Sequence, residues 1–236
     1  MRGMGMGALV ARCVRGTCSH EGLTVRSGVL GCSGGGGQAK LSGETYGAAM
    51  GQSSLPLCLN SFSQLVHSDD AEDKISNLKE LILKKSSNKN FKALIFGNGG
   101  SASIADHFAV DMTKNAGIRT LSLNTAPLIT CLANDFGYEH WMQKAIEMYH
   151  NDNDILFLIS SSGNSQNVIN ACKFANDIGM DTITFTGFNP NNGLRGLGKY
   201  NFWVDSKSYN IVENIHQIWI LTIVDAIIGK SEYSAS

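Results

Sequence analysis

Charge is scarce in this chain and evenly balanced. Only 17% of the residues are Asp, Glu, Lys or Arg, 19 basic against 20 acidic, for a formal net charge of −1. No basic run of five or more occurs, so the sequence lacks the electrostatic footprint of a protein that binds nucleic acid or an anionic membrane. Long apolar runs are missing too. The best candidates are broken by Asp, Asn or Gln before they reach the ~18 residues a bilayer core demands, and the sequence reads as that of a soluble protein. Cys13, Cys18, Cys32, Cys58, Cys131 and Cys172 include no pair at the two-residue spacing of a zinc knuckle or redox motif. In a chain with room for a substantial core they read as reduced thiols. There is no internal repeat and no Gly-Lys-Ser/Thr nucleotide loop.

What is present falls into two parts. Residues 1–56 hold more than half of the 26 glycines, including Gly34 to Gly37, and sustain no amphipathic period, so they read as a disordered Gly-rich extension. The extension carries Arg2, Arg12, Arg15, Arg26 and Lys40 against only Glu21 and Glu44. That bias suits an organellar transit peptide; the other reading is a flexible extension ahead of a true start near Met50. The first would place the protein in an organelle, the second in the cytoplasm.

Residues 57–236 are patterned as one folded domain. Asp69-Asp70-Ala71-Glu72 has the form of a capping box, and Ile75, Leu78 and Ile82 follow at helical spacing. Apolar strands are expected at Ala93–Phe96, Thr120–Leu123, Ile155–Ile159, Thr182–Thr186 and Phe202–Val204. Helices are expected at Ser101–Lys114, Gln166–Asp177 and Ile211–Ile228. Nearly continuous apolar strands alternating with helices predict a doubly wound, flavodoxin-like α/β fold: a five-stranded parallel sheet with helices on both faces, preceded by N-terminal helices.

Ligands of such sheets bind where strands turn into helices, and two turns are made of small residues. Gly97-Asn98-Gly99-Gly100-Ser101 follows the first strand; its glycines allow close backbone approach and present helix N-terminal amides. Ser160-Ser161-Ser162-Gly163-Asn164-Ser165 follows the third and adds hydroxyls. Amides, hydroxyls and a helix dipole suit a phosphate without a buried cation. Gly97, Gly99 and Ala102 also match the dinucleotide fingerprint. The acid expected about 20 residues on is absent, because the second strand leads into Asn124, Thr125 and Ala126, and this argues against a nicotinamide or flavin.

The strand-GNGGSAS-helix unit, Asn134-Asp135-Phe136-Gly137 and the ISSSGNS loop resemble the SIS (sugar isomerase) domains of sedoheptulose-7-phosphate (phosphoheptose) isomerases over roughly Phe62 to Ile228. The resemblance implies a phosphorylated sugar held by Asn98, Gly99, Gly100, Asn134, Asp135, Ser160, Ser161, Ser162 and Ser165, to which the first loop adds Ser101. It implies an aldose–ketose isomerase working through an enediol, heptose synthesis for surface polysaccharide, and a homotetramer whose sites are completed by neighbouring subunits. It also implies a zinc site, and there this chain departs from the pattern. His107 is matched, but Asp111 stands for a Glu, Glu213 for a Gln, and Leu221 for a His. His107, Asp111 and Glu213 remain the candidate metal ligands.

The last helix is apolar on most sides, yet Glu213, His216 and Gln217 interrupt it at i, i+3 and i+4, a spacing that predicts convergence. One reading makes Glu213 and His216 a catalytic base and its partner, with Asp111 as a further catalytic candidate. The other makes them a hydrogen-bonded network at a subunit interface. A non-catalytic SIS module that binds a sugar phosphate and regulates a partner protein is the alternative function. Trp141, Met142 and Met148 are expected in the core or an interface.

Overall fold

The computed structural model describes residues 62–67 and 70–231. The extension at 1–56, and the readings made for it, lie outside the described residues. A helical turn α1 (62–66) precedes α2 (Ala71–Ser86), β1 (Ala93–Gly97), α3 (Gly100–Lys114), β2 (Thr120–Ser122), α4 (Ala126–Phe136) and α5 (Trp141–Tyr149). These are followed by β3 (Ile155–Ser160), α6 (Gln166–Asp177), β4 (Asp181–Thr186), β5 (Tyr200–Trp203) and α7 (Tyr209–Ile228). All strand pairs are parallel, in the order β2-β1-β3-β4-β5.

Strand periodicity divides the core in two. Successive side chains point to opposite faces, so Ile95, Ile155, Phe157 and Phe185 meet α2, α3 and α7 on one side. Leu94, Phe96, Leu156 and Leu158 meet residues of α4, α5 and α6 on the other. β1 and β3 are buried at every position, which is why they read as unbroken apolar runs. Under the sheet, Lys92 and the buried Asp154 tie β1 to β3. The Lys92 ammonium donates to Asp154 at 2.6 Å, and the amides of Lys92 and Asn151 donate to the same carboxylate at 2.9 and 2.7 Å.

Two local expectations are corrected. The N-cap of α2 is Asp70, and its carboxylate makes no capping bond because it is drawn to Lys74 one turn on. α4 and α5 form where no helix was expected; α4 begins with a Pro in its first turn, where the missing amide costs nothing. Trp141 and Met142 are buried in the core as expected, and Met148, 57% exposed, lies outside it, where the interface half of the expectation still applies.

Among the described residues α7 alone is long and apolar enough to cross a membrane. Its apolarity has a local cause, because Val212, Ile215, Trp219, Ile220 and Ile223 are buried in the core beneath the sheet.

Candidate active site

Chain order runs outward from β1 to β2 in one direction and from β3 to β5 in the other, so the switch point lies between β1 and β3. Gly97 is level with Ile159 in this pair, and the two small-residue loops therefore open side by side. Between them lies a cavity of about 160 Å³. The first loop contributes Asn98 and Ser101, the second Ser160, Ser161, Ser162 and Ser165, and α7 adds Tyr209 and Glu213.

Each loop has its shape for a steric reason. A Cβ on Gly97 would lie 2.5 Å from the backbone C and O of Ser101, and Gly99 takes φ 57°, ψ −123°, open only to glycine. The Asn98 carboxamide is locked head-to-tail with that of Asn167 by two 3.0 Å bonds and accepts a third from the Tyr138 hydroxyl at 3.1 Å. Asn98 thus braces the first loop against α6. In the second loop the Asn164 amide donates to Ser162 Oγ at 3.2 Å, and Ser160 Oγ donates to Ser165 Oγ at 3.4 Å. Ser161 Oγ is buried with no hydrogen-bond partner among the described residues. Buried hydroxyls are ordinarily paired, and this one, lining the cavity, is free to donate into it. Ser165 precedes α6 without capping it through its side chain, leaving the positive end of that helix turned to the same space.

The two loops do different work. A Cβ on Gly100 would fall 2.5 Å from Glu213 Oε2 and 2.9 Å from Oε1. The Glu213 carboxylate therefore packs directly on the N-terminus of α3, the position that suits an anion. A phosphate dianion there would meet like charge. The glycine loop thus seats a carboxylate, while the serine loop offers a buried hydroxyl to the cavity.

The expected convergence of Glu213, His216 and Gln217 does not occur. At 3.6 residues per turn, His216 and Gln217 lie about 60° and about 40° to opposite sides of Glu213, so they point ~100° apart. His216 is fully buried; its Nε2 lies 3.0 Å from the Thr186 carbonyl oxygen, and its ring stands edge-on to Phe185. Burial pushes its pKa down to about 4 against a weaker opposing pull from that carbonyl. It is a neutral core residue outside the cavity. Gln217 turns the other way and meets His107 Nδ1 at 3.2 Å, while His107 Nε2 lies 3.3 Å from Asp111. Asp111 also accepts from Asn115 and does not line the cavity. Burial, with the Asp111 charge nearby, raises the pKa of Asp225.

The candidate metal ligands do not fit a metal. Among the described residues no three His, Cys, Asp or Glu side chains gather as a ligand set. Glu213 sits on Gly100, His107 and Asp111 pair with each other, and the fourth position is the half-buried Leu221. Asn134 and Asp135 also stay out of the cavity: they are exposed at the end of α4 and bonded to each other at 2.8 Å. Tyr209, Asn167 and Tyr138 carry weight that the sequence did not reveal. Only Tyr209 had a signal, one helical turn before Glu213.

Fold and site together define a doubly wound anion-binding protein with a carboxylate beside the anion cradle. More specifically, the chain belongs to the SIS domain family, whose profile matches residues 60–187. It is 33% identical over 175 residues to a phosphoheptose isomerase of Helicobacter pylori, covering 69% of this chain and 91% of that one. It is 34% identical over 144 residues to a phosphoheptose isomerase of Fusobacterium nucleatum, covering 59% of this chain and 74% of that one. The solved phosphoheptose isomerase of Neisseria gonorrhoeae superimposes with a TM-score of 0.64 at 28% identity, covering 73% of this chain and 94% of that one.

Proposed function

We propose that this protein is a phosphosugar isomerase that interconverts an aldose and a ketose phosphate of the heptose type, with Glu213 as the base. The serine loop takes the phosphate through the hydroxyls of Ser160, Ser161, Ser162 and Ser165 and the amides that open α6. Glu213, on the far side of the same cavity, removes the proton from the carbon next to the carbonyl. The carbonyl oxygen gains a proton to give the enediol, which is reprotonated on the neighbouring carbon as the adjacent hydroxyl releases its proton, so hydrogen shifts between the two carbons and between their two oxygens and no redox partner is consumed. The observation that carries the proposal is the Glu213 carboxylate seated on Gly100, facing the phosphate cradle. A carboxylate within reach of a substrate proton is the basic requirement of this chemistry.

The names of the relatives support sedoheptulose 7-phosphate as the ketose and heptose supply for surface polysaccharide as the purpose. We further read the protein as a homotetramer. The family resemblance and the half-exposed apolar residues of α7, among them Ile218 at 38%, support this. Free thiols at Cys131 and Cys172 suit the reducing cytoplasm.

Solvent-deuterium exchange tests the reaction. Purified protein incubated in D2O with sedoheptulose 7-phosphate should place deuterium on the carbon adjacent to the carbonyl. Glu213→Gln should stop this while leaving phosphosugar binding intact. Binding without exchange across a panel of ketose phosphates would instead make the protein a sugar-phosphate-binding module.

A further inference from the structure

The reading of Glu213 as base leaves a buried imidazole on the same helix without a role, and that imidazole sits where the helix meets the phosphate loop. Apart from His216, the buried residues of α7 are Val212, Ile215, Trp219, Ile220, Ile223 and Val224. Within this apolar face the imidazole lies wholly out of solvent, and Nδ1 has no hydrogen-bond partner among the described residues. An aliphatic side chain would avoid an unpaired buried acceptor. The carbonyl it serves does not need it either, because Thr186 O already accepts the Val204 amide at 2.9 Å. The bond from Nε2–H to Thr186 is therefore an added tie, with the neutral tautomer fixed by the carbonyl acceptor.

The place of that tie is specific. Thr186 ends β4 and is paired in register with Ser160, the first residue of the serine loop. The next residue, Gly187, lacks a side chain at a point where a Cβ would lie 2.7 Å from Val212 and 3.1 Å from the Ser161 carbonyl oxygen. The strand end 186–187 is thus gripped between the serine loop and the first turns of α7. One bond, three residues from Glu213, links the helix that carries the base to the strand that abuts the phosphate cradle.

We propose that His216 is a positioning residue: its Nε2–H bond to Thr186 sets the height of α7 on the sheet, and so the distance between the Glu213 carboxylate and the phosphate loop. This rests on the assignment of Glu213 as base. His216 itself touches no substrate. A shift of about 1 Å between base and substrate costs on the order of 10²-fold in rate.

The test compares His216→Met, which fills the space without a donor, with His216→Gln, whose amide N–H can reach the same carbonyl. In His216→Met, kcat should fall about 10- to 100-fold with KM within about twofold and a melting temperature at or above that of the parent. His216→Gln should recover most of the rate. Parental kcat in His216→Met, or equal losses in both variants, overturns the proposal. If His216→Met does not fold, His216→Phe is the second donor-free variant, and unfolding of both overturns it in favour of a purely structural role. Glu213→Gln, assayed alongside, separates the two layers: retained exchange there removes the base assignment and this inference with it. Lost exchange there with full activity in His216→Met removes the positioning role alone.

Discussion

Replacing Gly100 by Ala is the sharpest probe of the division of labour between the loops. The new methyl would lie 2.5 Å from Glu213 Oε2 and 2.8 Å from Cδ. Ordinary carbon–oxygen contact begins near 3.4 Å, so the carboxylate must withdraw by roughly 1 Å. The atom in the way is the end of a flexible side chain, so the retreat costs little, and Ala in the first turn of α3 returns about 0.5–1 kcal/mol relative to Gly. Stability should therefore hold or rise slightly while the base leaves its place. A displacement of that size corresponds to a loss of about 10- to 100-fold in kcat, or ~1.4–2.7 kcal/mol in the barrier. KM should barely move, because in the proposed arrangement the phosphate rests on the serine loop. Steady-state kinetics on sedoheptulose 7-phosphate, with thermal melts of the same samples, would show the pattern. On a Glu213→Gln background Gly100→Ala should lower the residual rate no further, the non-additivity expected of two residues acting through one contact. Gly97→Ala is the control: its Cβ would meet the Ser101 backbone at 2.5 Å, which cannot retreat, so it should cost ~1–3 kcal/mol of stability. A Gly100→Ala enzyme with parental kcat, or one that loses stability as Gly97→Ala does, would refute the placement of the base.

Two further predictions concern stability. Asp154→Ala strands the Lys92 ammonium and two amides beneath the sheet and should cost ~3–5 kcal/mol in urea unfolding, whereas Lys92→Met with Asp154→Leu together should cost markedly less. His216 is held neutral, with its pKa pushed down to about 4 from an unfolded value near 6.5. Between those values the unfolded chain binds the extra proton, so stability is at its full value above about pH 6.5 and falls as the pH drops through about 4. The loss from this group approaches ~3 kcal/mol. Urea midpoints followed from pH 7 to pH 4 should fall less steeply in His216→Gln than in the parent. Parallel slopes would show that His216 is not the group responsible.

Most of the fold was legible because its signals are local. The apolar runs of β1 and β3, the helical spacing of Ile75, Leu78 and Ile82, and the small-residue turns at 97–101 and 160–165 each lie within one short stretch of chain. The boundaries of α6 and the ends of α7 follow from the same periodicity. α4 was missed because Asn134, Asp135 and Phe136 stand out as a motif at its end, which hid the helical turns before them.

By itself, then, the sequence determined the parallel α/β architecture, the two loops and the anionic character of the ligand, since backbone propensity and strand burial are written into neighbouring residues. Only the tertiary structure decided which residue of α7 faces the cavity between the two loops. Glu213, His216 and Gln217 lie within one turn, but the packing of α7 beside α2 and α3 on one face of the sheet sends them respectively to the cavity, the core and His107. Helical spacing fixes only the angles between those side chains. What each one meets depends on the elements packed around the helix, which lie more than a hundred residues away in the sequence in the case of His107.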